Sequence, residues 1–384
     1  MKKTGILIIT FIIFNILFCQ TVSAKSNNET PSSVESIISE QQEKSRAGEL
    51  SEKVPDSAEN SLKKAGIKSG DKDTLARFTP ANIFGALIDA VKSAAKSPLK
   101  AIAAVTGILL ACALLATLKN SFAESSMHNV FNVVTALCVA SVILVPITQC
   151  ISFCATVIKQ SSTFMLAFIP VYTALAAASG HPASAIATQS LLLGSSEILS
   201  QIVSTTFVPM ADIYLAFCVI AAVSPQINIT GIAEFIKSAV SWALGLCLTI
   251  YTGILTVQGA IASATDNVTI KAAKFVVDGS IPVIGGAISD AMNTVISCAG
   301  LLKTSVGAYA IVVLILAFLP PVLECVMWLL ATDISLAVAN ILNISNMNGM
   351  LKAIKEALKL IIALVIASAL TFVISVSVML LLGK

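Results

Sequence analysis

Charge is scarce in this sequence. Asp, Glu, Lys and Arg make up 12% of its 384 residues, against 56% hydrophobic ones, and that is about half the charged share of a soluble domain. A water-soluble globular fold lacks the polar surface to enclose so much apolar material and is excluded. Histidine is scarcer still: His128 and His181 are the only two, which leaves little for acid–base or metal chemistry. Neither a phosphate-cradling G-x-x-x-x-G-K-[ST] loop nor a metal-binding H-E-x-x-H helix occurs. Aromatics reach only 6%, and the 24 basic residues are scattered at a net charge of +3. No basic stripe interleaved with aromatics exists, so nucleic acid is not an expected partner. The polar stretch Lys25–Thr79 has no cysteine, and all nine cysteines lie in apolar runs. That placement excludes a disulfide framework and gives no zinc-ligand spacing. Cys150 and Cys154 share a helix face at i, i+4 and read as small residues packed between helices.

What the sequence has is apolar runs of bilayer length. Lys2 and Lys3 precede the apolar run Gly5–Phe18, and Val22-Ser23-Ala24 supplies small residues at a cleavage site. Residues 1–24 are therefore predicted to be a signal peptide, with an uncleaved anchor as the alternative. Bulky Phe18 ahead of Cys19 argues against a lipoprotein. Residues 25–98 form a polar segment expected outside the cytoplasm, in which eleven basic and eleven acidic residues cancel between Lys25 and Lys96. Its brief periodicity at Val34, Ile37 and Ile38 predicts a solvated tether or a short helix docking on a partner. An amphipathic stretch (Ile83, Phe84, Leu87, Ile88, Val91) closes it at Pro98.

The expected fold class is all-α, a polytopic helical membrane protein with seven or eight crossings. Residues 99–262 hold a first group of spans: Leu99–Leu118, Val130–Ile158, Phe164–Ser179, Ala183–Phe207, Met210–Val223 and Ala239–Ala262. Residues 263–304 are expected to be amphipathic, re-entrant or interfacial. Residues 305–384 hold Ser305–Ala331 and Leu358–Leu382. Pro146, Pro170, Pro209 and Pro320-Pro321 break or divide several spans, which requires neighbours to satisfy the freed carbonyls. Ala103, Gly107 and Ala111 make a smooth stripe for close helix approach. Placing Lys159, Lys271, Lys274 and Lys303 in external loops fits the positive-inside rule poorly, so orientation stays open.

Two groups of residues stand out as candidates. The stretch Ile281–Cys298, opened by Pro282, reads as an amphipathic helix with Ser289, Asn293 and Ser297 on one face, Asp290 and Thr294 beside them, and Ile288 and Val295 opposite. Its polar stripe suits either an aqueous path or partner contact, or simply the membrane interface. Gly285 and Gly286 leave its first turn bare, which makes them packing or pore candidates. Glu197, Asp212 and Glu324 are acids within apolar spans; each is costly in hydrocarbon and is either ion-sensitive or paired with a neighbouring helix. Gly194-Ser195-Ser196-Glu197 only faintly resembles a nucleophile site. No catalytic residue, cofactor or metal is assigned, and an enzyme is not expected.

Gln258–Phe275, Ile281–Asp290 and Lys303–Gly307 resemble the stage III sporulation protein AE family of endospore-forming bacteria. The order of signal, polar segment and spans agrees over nearly the whole chain. The resemblance implies a multi-pass component of a mother-cell membrane complex that meets a forespore membrane protein and forms a channel-like secretion apparatus. It implies other membrane proteins of that complex as partners, alongside the lipid bilayer. The matched positions are Asp266, Lys271, Lys274, Phe275, Pro282, Gly285, Gly286 and Asp290, with no catalytic role attached. A self-sufficient secondary transporter is the alternative, because of the broken spans and intramembrane acids. A plain membrane anchor comes third.

Overall fold

A computed structural model describes residues 32–65, 80–119, 126–223, 230–280, 285–342 and 345–381. The expected signal peptide and Pro282 lie outside the described residues. The chain divides into two units, Met1–Ile37 and Ile38–Lys384. Of the first, only the opening residues of a helix are described, and everything below concerns the second.

Among the described residues every element is helical. They are α1 (Ser32–Ser45), a 3₁₀ turn (Ala47–Lys53), α2 (Asp56–Ala65), α3 (Pro80–Lys119), α4 (Ser126–Ala178), α5 (Pro182–Ile202), a π turn (Val203–Phe207), α6 (Val208–Val223), α7 (Thr230–Ser280), α8 (Gly285–Ile341) and α9 (Ser345–Leu381). Six stretches among them are long and apolar enough to cross a membrane: Ala94–Ala111, Ala136–Ala178, Ser184–Ala221, Gly231–Val257, Thr294–Ile341 and Asn348–Leu380. The all-helical, multi-span expectation holds at that level.

The expected breaks are bridged. Val130–Ile158 and Phe164–Ser179 fuse into α4, which runs through Lys159 with Thr163 Oγ1 bonding back to the Lys159 carbonyl at 3.1 Å. Pro98 sits inside α3. Pro209 does not divide its span. Proline offers no N–H to the carbonyl four residues earlier, and the chain answers with the π turn, where the Val208 N–H bonds to the Val203 carbonyl. Pro320 and Pro321 lie inside α8. Lys159, Lys271, Lys274 and Lys303 thus all sit on helices, and Lys303 is buried. The loop-based orientation argument fails because those loops do not exist.

α8 is the hub. It packs on α9 along most of its length and also touches α2, α3, α4 and α7. Trp328, Tyr172, Tyr309, Phe164, Phe168 and Phe372 are fully buried in the shared core. Phe164, Phe168 and Tyr172 line up along α4 with ring centroids 6.1 and 5.5 Å apart. The Tyr172 hydroxyl donates to the Met379 carbonyl at 2.9 Å, tying α4 to α9. Gly307, in the family-like stretch, has a direct steric reason: a Cβ there would stand 2.5 Å from Leu380 Cδ2 and 3.2 Å from a Tyr172 ring carbon. The Ala103–Gly107–Ala111 stripe, by contrast, faces outward, with nothing within 4 Å of a Cβ at Gly107.

The polar segment is not a free tether over Ile38–Lys63. Ala47, Leu50, Ala58 and Leu62 are buried in the common core, so the segment is a strap on the bundle. Gln41 Nε2 donates to the Val295 carbonyl at 3.2 Å, and Gln160 Nε2 donates to Asp56 Oδ2 at 2.7 Å. Ser57 Oγ donates to the Ala317 carbonyl at 3.0 Å. Pro321 has no N–H for that carbonyl, so the strap satisfies a group that the proline left free. The outer face of the strap is charged: Glu40, Lys44, Arg46, Glu49 and Lys63 are mostly exposed. Lys44, hydrogen-bonded to Glu40 at 2.6 Å, holds that carboxyl below its ordinary range.

Candidate functional site

The three acids do not converge; they sit at different depths. Glu197, on α5, accepts a hydrogen bond from Ser162 Oγ of α4 at 2.6 Å, the paired state expected of a carboxyl at a helix interface. Asp212 on α6 is exposed. Tyr214, two residues on, lies near enough to Glu356 and Glu234 to feel their charge. Glu324, on α8 three residues beyond Pro321, is half-buried and directly precedes Cys325, which belongs to a cluster of thiols.

That cluster is the feature sequence reasoning missed. Cys325 Sγ lies 3.4 Å from Cys150 Sγ and 3.5 Å from Cys154 Sγ, all three fully buried. The three sulfurs lie within 4.8 Å of one another, a donor set of the size that a soft metal ion would need. As protonated thiols they pack as small apolar groups. The i, i+4 pair was legible in sequence, whereas Cys325 is separated from it by more than 170 residues.

Two polar belts cross the bundle. At one level Lys237 of α7 pairs with Glu356 of α9, Lys359 pairs with the same carboxylate, and Lys355 pairs with Asp333 of α8. Trp242, 71% exposed, stands little more than a turn along α7 from Lys237, in the manner of an interfacial aromatic. The second level holds Lys159, Gln160 with Asp56, Ser57 with Ala317, and Ser162 with Glu197. Tyr251 of α7 and Ser375 of α9 share a hydrogen bond there. Ser196, in the stretch resembling a nucleophile site, bonds back to the Leu192 carbonyl of its own helix.

Of the amphipathic stretch, the structure describes a helix from Gly285 onward. Side chains of Ser289, Asp290 and Asn293, and those of Asp266, Lys271, Lys274 and Phe275, lie outside the described residues. Thr294 and Ser297 are exposed and Cys298 is buried. Val295, expected on the apolar face, is 40% exposed, and its carbonyl receives Gln41.

Apolar helices of this length, tied by buried hydroxyls and bridged prolines, define an all-helical fold with, among the described residues, six stretches able to cross a membrane. The family model for stage III sporulation protein AE matches residues 60–383. The chain belongs to that family. It is 28% identical over 262 residues to the stage III sporulation protein AE of Bacillus subtilis (strain 168), a match covering 68% of this chain and 64% of that relative. The match thus spans somewhat less than two thirds of the relative's length. No solved structure matches.

Proposed function

We propose that this protein is the multi-span component of a sporulation-specific channel or secretion complex in the mother-cell membrane around the forespore, needed for late forespore development. It works with other membrane proteins of that complex and carries out no catalysis of its own. The observation that carries the reading is the family match over residues 60–383. Six bilayer-length stretches among the described residues support it. So does the dispersal of Glu197, Asp212 and Glu324, since an ion-coupled transporter would gather such groups at one midplane site.

The test is the double change Gly285→Leu and Gly286→Leu. Both residues open α8 within the family-like stretch, where bare backbone permits close approach of another chain. The variant should accumulate in the membrane at native level while sporulation stops after engulfment. Normal spore yield would reject a working role for this stretch. We also propose that the mature chain begins at Lys25, which N-terminal sequencing of membrane-extracted protein checks; a chain starting at Met1 would reject cleavage.

A further inference from the structure

We infer that the bilayer grips only the section between the two polar belts, and that the helix ends carrying the family-like stretch stand in water on the strap's side. Three helices cross the section. From Asp333 to Ala317 on α8, and from Lys359 to Ser375 on α9, the rise is roughly 24 Å; from Lys237 to Tyr251 on α7 it is roughly 21 Å. Hydrocarbon is about 30 Å thick, and snorkelling lysines with slight local thinning cover the difference.

Contacts fix which parts fall where. α4 runs antiparallel to α8: Ile143 lies near Ser335 and Trp328, Cys150 and Cys154 meet Cys325, and Tyr172 lies at Gly307. Beyond the strap belt α8 continues through its 57-residue length toward Gly285, so Gly285–Ala317 projects by roughly 48 Å. α7 likewise continues past Val257 through the 258–275 stretch to Ser280.

Two observations place this projecting part in water. The strap follows α8 from Val295 to Ala317, about 33 Å of helix, with its charged outer face exposed. A row of such charges cannot lie against hydrocarbon for a full membrane thickness. Hydroxyls are also confined to one side of the belt on the exposed face of α8: Thr294, Ser297 and Thr304 stand exposed before it, beside Val295 and Leu301, whereas between the belts the exposed side chain is Leu330. Glu324 and the three thiols fall midway between the belts. The inference rests on this geometry and not on the sporulation reading.

The test is solvent accessibility of the full chain. Hydroxyl-radical footprinting of the unsubstituted protein in lipid nanodiscs should oxidise Leu301, 57% exposed, and spare Leu330 and Ile250, 43% and 53% exposed. Single cysteines Ser297→Cys and Thr304→Cys, with the native cysteines replaced, should react with a membrane-impermeant maleimide in either intact protoplasts or inverted vesicles. Leu330→Cys should react in neither. Protection of Leu301 equal to that of Leu330 would overturn the inference, as would oxidation of all three or silence of both hydroxyl-position cysteines in both preparations. If the cysteine variants fail to accumulate, the footprint of the unsubstituted protein decides alone.

Discussion

A single missing side chain permits a close contact of three helices. Gly307 lets α8, α9 and α4 meet at Leu380 and Tyr172. Overfilling such a contact typically costs about 1–3 kcal/mol. Gly307→Ala should lower the thermal midpoint of the detergent-solubilised protein, and Gly307→Leu should lower it further; equal midpoints for all three would mean that the helices part freely there. Glu324 illustrates the opposite case. It is a carboxyl at mid-depth next to buried Cys325, and an acid in that position costs stability unless function retains it. Glu324→Leu is expected to keep or raise the thermal midpoint, whereas a clear drop would reveal a structural partner for the carboxyl.

At the scale of elements, proline decides the detail. Each one inside a helix frees a carbonyl, and at two of them the compensation differs: a π turn before Pro209, a strap hydroxyl at Pro321. Ser57→Ala removes the donor and leaves the Ala317 carbonyl unsatisfied, a loss of about 1–3 kcal/mol for a buried acceptor. The expected outcome is faster cleavage of the strap by trypsin at Lys53 and Lys63 in solubilised protein, with the membrane helices still intact. Unchanged cleavage would mean that the buried Leu50 and Leu62 hold the strap unaided. Helix existence was legible from the apolar runs. Helix continuity was not, because Lys159-Gln160-Ser161-Ser162-Thr163 has the polarity of a loop. Only the tertiary partners, Asp56 for Gln160 and Glu197 for Ser162, explain why it stays helical.

At the scale of the whole molecule, the architecture is one hub helix with partners, and its acids are spread from one polar belt to the other. Purified alone in liposomes, the protein should show no substrate-specific flux, since Glu197, Asp212 and Glu324 lie on three different helices and do not meet at one site. Unaided, selective transport would restore the transporter reading. The candidate site was legible in part: Glu197, Asp212 and Glu324 were identifiable as costly residues, but their depths, and hence which one is truly central, follow only from the packing.

The sequence by itself determined the class of the protein. An apolar share of 56% with so little charge leaves helices in lipid as the available solution, because backbone groups there must bond within their own segment. The order of the family-like stretches determined kinship in the same way, being a property of local strings. Tertiary structure alone decided three things: that Cys325 joins Cys150 and Cys154, that the charged segment lies along α8, and that polar residues far apart in the chain line up in two belts. Each depends on which helix faces meet, and a hydrophobic run that is apolar all round carries almost no signal of the face that it will bury.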